Sequence, residues 1–181
     1  MKTVKQYIEN CIGDHIRNYT NESLLNDEDV LLDPERDKAV IENWIKENYV
    51  IKGTLKISDD FTVSCKGSIV VENKDITSLT NGMFSWGEIG GEFSCCNCEN
   101  LKSLKGAPKG VDGDFSCYNC KNLKSLEGAP ERVKGWFGCS RCERLKSLEG
   151  APETVVGDFY CYRCPNLVIT DSDRKKYNIK S

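Results

Sequence analysis

The chain has 181 residues, 39% of them hydrophobic and 29% charged, with a formal net charge of −3 and a pI near 5.4. That length suits one domain, or one repeat array with a cap. No basic block offsets the acids, which argues against nucleic acid as the main partner, and the apolar runs are too short to span a membrane.

The opening residues MKTVKQYIENC lack the apolar stretch of a secretion signal, so a cytoplasmic protein is expected, with its 11 cysteines reduced. Val4, Ile8, Cys11, Ile12 and Ile16 fall at helical spacing and predict a first helix over 3–18. The acidic segment 19–32 reads as a loop or short helix. Asp33-Pro34-Glu35 is a helix start, with Asp as N-cap and Pro at the first helical position. This second helix should reach about Asn48 and bury Val40, Ile41, Trp44 and Ile45. Residues 1–52 thus form a helical N-terminal cap covering the open edge of a repeat array.

From Gly53 the pattern alternates, and 54–57, 61–65 and 68–72 read as short strands. Residues 53–90 form degenerate repeats, in which Asn73-x-x-Ile76-x-x-Leu79 matches Cys98-x-x-Leu101-x-x-Leu104. An insertion with Met83, Phe84 and Trp86 is expected either to join a binding surface or to fold over the first coil.

Over 91–170 the sequence repeats at a strict 22-residue period, starting at Gly91, Gly113, Gly135 and Gly157 and running Gly-x-Phe-x-Cys-x-x-Cys-x-x-Leu. A period near twenty residues means a solenoid: one unit cannot bury its own apolar face and stacks on its neighbours. Phe and the first Cys lie two apart on a strand and share a face. Phe93, Phe115, Phe137 and Phe159 should therefore stack inward. Cys95, Cys117, Cys139 and Cys161 form a second file, and the leucines at 101, 123, 145 and 167 and at 104, 126 and 148 two more. Gly-Ala-Pro supplies a tight turn and an extended back side. The polar tail 171–181 either seals the last coil or frays.

Phe-x-Cys-x-x-Cys-x-x-Leu-x-x-Leu resembles the leucine-rich repeat in its cysteine-containing form, over roughly 67–170. Phe and Cys replace the two strand leucines, and one extra residue precedes the next Leu. The fold so implied is a leucine-rich-repeat-like parallel β-solenoid. The short period is similar to that of bacterial-type repeats known also from phage-encoded proteins. The resemblance implies strands lining one face, a protein-binding role, and a phage or prophage product that disables a host defence protein.

Four Cys-x-x-Cys pairs (95/98, 117/120, 139/142, 161/164) raise zinc as an alternative, since thiolates of neighbouring coils could approach tetrahedral geometry. Structural thiols are the preferred reading, with no metal and no cofactor expected. The first Cys of each pair is a small inward hydrophobe, and the second falls where leucine-rich repeats place a residue that satisfies backbone groups.

Catalysis is not expected. The single histidine, His15, sits on the first predicted helix, and no nucleophile, phosphate-loop or dinucleotide motif stands out. Alternation along the strands turns outward Asp114, Trp136 and Asp158 before Phe, Tyr160 between Phe and Cys, Tyr118 and Tyr162 after Cys, then Arg141 and Arg163. Trp, Tyr and Arg are the residues enriched in binding hot spots. These eight are the candidate site for another protein. Four strands of about five residues offer only roughly 300 Å², against roughly 800 Å² per partner in a standard interface, so the insertion or the cap should contribute. Two other uses stay open: an enzyme site in the N-terminal part, or stacking of single-stranded bases on Trp136, Tyr118 and Tyr162 beside the arginines.

Overall fold

A computed structural model describes residues 34–181. The expected first helix (3–18), the segment 19–32, His15 and the Asp33 cap lie outside the described residues. Helix α1 (Pro34–Asn48) carries Glu35 and Asp37 in its first turn and Lys46 in its last, the order the helix dipole favours. Ile41 and Ile45 are buried, whereas Val40 and Trp44 are only half-buried.

The helix runs straight into β1 (Tyr49–Lys52), a strand where the sequence pattern suggested only the end of a cap. β1 pairs antiparallel with β4 (Ser68–Val71), and β2 (Leu55–Ile57) antiparallel with β3 (Thr62–Cys65). Two antiparallel pairs therefore open the array. After them every strand pairs in parallel with its equivalent one coil later.

Each coil contributes one strand to each of two sheets. One sheet holds β6 (Phe93–Ser94), β8 (Phe115–Ser116), β10 (Phe137–Gly138) and β12 (Phe159–Tyr160), with Phe facing Phe in register throughout. The other holds β5 (Ser85–Ile89), β7 (Gly110–Val111), β9 (Arg132–Val133) and β11 (Thr154–Val155). The chain is a parallel β-solenoid of 22-residue coils.

The second sheet corrects the expectation of an extended back side. After each Gly-Ala-Pro the backbone bonds to the coil before it: Lys109 N donates to Gly87 O, Glu131 N to Lys109 O and Thr154 N to Glu131 O. Proline removes one donor per coil, and stacking satisfies the rest. The turn before it is legible in the sequence. Gly106, Gly128 and Gly150 adopt φ of +86°, +85° and +79°, and Ala107, Ala129 and Ala151 each close the turn onto the Leu three residues earlier. That is the third position of a type II turn, where only glycine is free of strain.

Inside, the phenylalanine rings stack at 5.6, 5.2 and 4.9 Å between centroids. Tyr49 and Trp86 extend the file at the N-terminal end. Tyr177 extends it at the other end, 4.8 Å from Phe159. Cys95, Cys117, Cys139 and Cys161 are buried, as are the expected leucines except Leu167, which is half-buried at the last coil.

Of its two possible fates, the insertion folds inward. Phe84 and Trp86 are buried, and Trp86 Nε1 donates to Leu79 O at 3.2 Å. Asn73 departs from its expected place beside the later second cysteines. It is exposed, and its amide donates to Asn48 Oδ1 at 2.8 Å. The reason is register: Ile69 pairs with Phe93, two positions beyond the 22-residue spacing.

The polar tail seals the array. Thr170 and Asp173 form a capping box for α2 (Asp171–Lys176). Tyr177 Oη donates to Pro152 O at 2.6 Å, and β13 (Ile179–Lys180) adds a strand beside β12. Among the described residues no helix is long and apolar enough to cross a membrane.

Candidate functional site

The Cys-x-x-Cys pairs are built into the stack. From the second pair onward, each second cysteine points back one coil and donates to the carbonyl of the earlier first cysteine, whereas Cys98 reaches only Cys96 O within its own coil. Cys120 Sγ reaches Cys95 O at 3.1 Å, Cys142 reaches Cys117 O at 3.3 Å and Cys164 reaches Cys139 O at 3.2 Å. These carbonyls lie inside the coil, where an unpaired acceptor would be costly. Burial pushes Cys98 up to about 12 and Cys164 up to about 11, and holds Cys139 well above the ordinary thiol range, whereas the hydrogen bond with Cys95 lowers Cys120. Protonated thiols are donors, whereas metal ligation needs thiolates. Among the described residues no group of three or more His, Cys, Asp or Glu side chains is arranged to hold a metal ion.

The aromatic and basic candidates converge on the last three coils. Trp136, Tyr118, Tyr160, Tyr162, Arg141 and Arg163 line one open depression of 440 Å³, with Ser116, Gly138 and Ser140 as its floor. Trp136 and Tyr160 meet edge to face at 5.8 Å, and Tyr160 stacks on Tyr162 at 6.2 Å. The Arg141 guanidinium lies over the Tyr118 ring at 5.6 Å. Tyr118 and Tyr162 are 36% and 44% exposed, large values for aromatic rings in so small an array.

Gly138 makes the depression possible. A Cβ there would come within 2.8 Å of Trp136 Cζ3, so any other residue would push the indole off the strand. The equivalent positions carry Ser94, Ser116 and Tyr160. This glycine is the residue that sequence reasoning missed, and its break in the column was the available signal. Ser94 and Ser116, at the alternation that should turn Tyr160 and its equivalents outward, are buried.

Asp114 and Asp158, also among the sequence candidates, serve the scaffold. Asp114 Oδ1 accepts the Trp136 backbone N–H at 2.9 Å. Asp158 accepts the Tyr160 hydroxyl at 3.1 Å and receives Asn178 and Lys180 from the tail. The same carboxylate raises the Tyr160 phenol above its ordinary range, so it stays protonated. The tail residues Asn178 and Lys180 had no sequence signal, because only closure of the last coil brings them here.

Arg141 and Arg163 do not lie on a strand. With Asn97 and Asn119 they form a column of left-handed turn residues, at φ of 62°, 59°, 60° and 55° from Asn97 to Arg163. Asparagine tolerates this region; arginine rarely occupies it. The bend swings both guanidinium groups toward the rim of the depression. Neither forms an ion pair within the described residues.

The site is thus a shallow aromatic surface with a basic rim on a parallel β-solenoid. Comparison with protein families, characterised proteins and solved structures finds no match for this chain. Its function is therefore argued from geometry.

Proposed function

We propose that this chain is a non-catalytic binding module: a leucine-rich-repeat-like cytoplasmic solenoid that occludes a surface of another protein through the depression around Trp136. The convergence of Trp136, three tyrosines and two arginines on one depression carries this reading. Aromatic rings supply large contact area at low entropic cost, and Arg supplies directed donors. Folding does not require these rings to be exposed, since the buried phenylalanine, leucine and thiol files already hold the array together.

The chemistry around the depression also fits binding better than turnover. The carboxylates beside it, Asp114 and Asp158, are engaged by backbone and tail groups, and the Tyr160 phenol bonded to Asp158 is held protonated. The test is affinity capture from the source organism, comparing the wild type with Trp136→Ala plus Tyr160→Ala. Proteins retained by the first bait and lost by the second support the reading. Identical captures would remove this face from the function.

A further inference from the structure

We infer that the ligand of this surface, taken as the binding site proposed above, is an extended acidic peptide segment of a partner protein. Its carboxylates lie against Arg141 and Arg163, and an adjoining apolar side chain sits beside Trp136 and Tyr160.

Charge is the first argument. Several charges that neighbouring coils bring into register are paired with the opposite sign: Lys121 meets Glu99 at 2.6 Å, Lys105 meets Glu127 at 3.0 Å and Lys134 meets Asp112 at 2.9 Å, whereas Lys102, Lys124 and Lys146 repeat one sign without aromatic neighbours or left-handed backbone. Arg141 and Arg163 repeat one sign in neighbouring coils, about 4.8 Å apart at the backbone, with no acidic partner among the described residues. Both also hold the left-handed backbone that disfavours arginine. Like-charge repulsion and two unfavourable turns thus meet at one rim, and an anion is what would offset them. Planar guanidinium forks match carboxylates with paired hydrogen bonds.

Size and layout select a peptide. The insertion with Phe84 and Trp86 is packed inside and adds nothing to this face. Helix α1 packs at the opposite end of the array, against the first coil. What remains matches one linear segment better than a folded domain. The face also has a polarity. Arg141 and Arg163 form one edge, and Asp114 and Asp158 lie on the other side of the rings. A nucleic-acid strand, with phosphates at every residue, would carry charge onto that acidic edge. A peptide whose acids are confined to one end does not.

The test is selection of a displayed library of random dodecapeptides on the full chain. Enriched peptides are then measured by fluorescence anisotropy against the wild type, Trp136→Ala, and Arg141→Asn with Arg163→Asn. Asparagine is what two other coils carry at this turn, so the double variant keeps the fold, and calorimetric unfolding verifies it. The inference expects Asp and Glu beside an apolar or aromatic residue in the enriched set. It also expects binding to weaken at least about tenfold in the arginine variant, and more at low salt than at high. Peptides without acidic bias that lose affinity only in Trp136→Ala would overturn this inference and leave the binding face standing. Peptides indifferent to both variants, or no enrichment at all, would overturn both. Tighter, arginine-dependent binding of a short oligothymidine would replace the peptide with nucleic acid.

Discussion

Replacing Arg141 and Arg163 together by asparagine should stabilise the protein while weakening its binding. Both residues sit at positive φ, 60° and 55°. Left-handed backbone costs an ordinary L-residue about 1–2 kcal/mol, and asparagine recovers part of that, so a gain of about 0.5 kcal/mol per position is expected. An asparagine at 141 also lies one coil from Asn119, whose amide already donates to Asn97 Oδ1 at 2.9 Å. Extending that exposed ladder adds about 0.5 kcal/mol, and relief of the like-charge pair a few tenths more. Against this stands the loss of Arg141 over the Tyr118 ring at 5.6 Å, a contact of about 0.5–1 kcal/mol at an exposed site. The balance is a gain of about 1 kcal/mol, or about 2–4 °C in melting temperature for a chain of this length. Urea unfolding followed by tryptophan fluorescence, with a calorimetric scan, measures it. If the double variant instead loses more than about 0.5 kcal/mol, beyond ordinary surface variation, the arginines are there for the fold. The inference from backbone strain to function would then be wrong.

The interior makes its own predictions. Cys142→Ala should cost about 1 kcal/mol, because the Cys117 carbonyl loses its thiol donor and keeps only the long bond from Cys120 N at 3.4 Å. Cys142→Ser should cost less, since it keeps an O–H there; equal urea midpoints for the two variants would deny the hydrogen bond its role, and stoichiometric zinc in the purified protein would overturn the structural account of the thiols. Phe137→Leu should cost about 1–3 kcal/mol for two ring contacts, which are at 5.2 and 4.9 Å. A leucine variant as stable as the wild type would show that stacking adds nothing beyond burial. Alkaline pH should destabilise the fold. Burial raises Cys98 to about 12 and Cys139 well above the ordinary value, whereas unfolded thiols titrate near about 8.5. The folded state therefore keeps protons that the unfolded state loses. This stabilisation is complete below about 8.5 and falls by up to about 1.4 kcal/mol per pH unit for each thiol above it. Melting temperatures that stay level across that range would mean the thiols are not buried as described.

How far the chain could be read depended on what each feature needed. The aromatic file, the thiol file and the type II turn at Gly106, Gly128 and Gly150 each require only residue identity at a fixed period. The second sheet was hidden because its strands are dipeptides such as Gly110–Val111 and Arg132–Val133, too short to show alternation. Asn73 was misplaced because register slips between the opening pairs and the regular coils. Its match to the later cysteines was one of letters, not of position.

The repeat itself, then, determined a stacked coil with phenylalanine, cysteine and leucine inside, since a 22-residue unit has no other way to bury them. It also placed Trp136, the tyrosines and the arginines outside that interior. Only the tertiary structure shows that the later second thiols point at backbone carbonyls of the coil before, because a donor to a carbonyl and a metal ligand share one spacing and differ in where the sulfur points. The same holds for the candidate site. The Trp136 indole lies over a bare glycine, the arginines turn through a left-handed bend, and the C-terminal tail takes up Asp158. The first two are conformations within a coil that residue identity does not display, and the third is a contact between the last coil and the tail that only closure of the array creates.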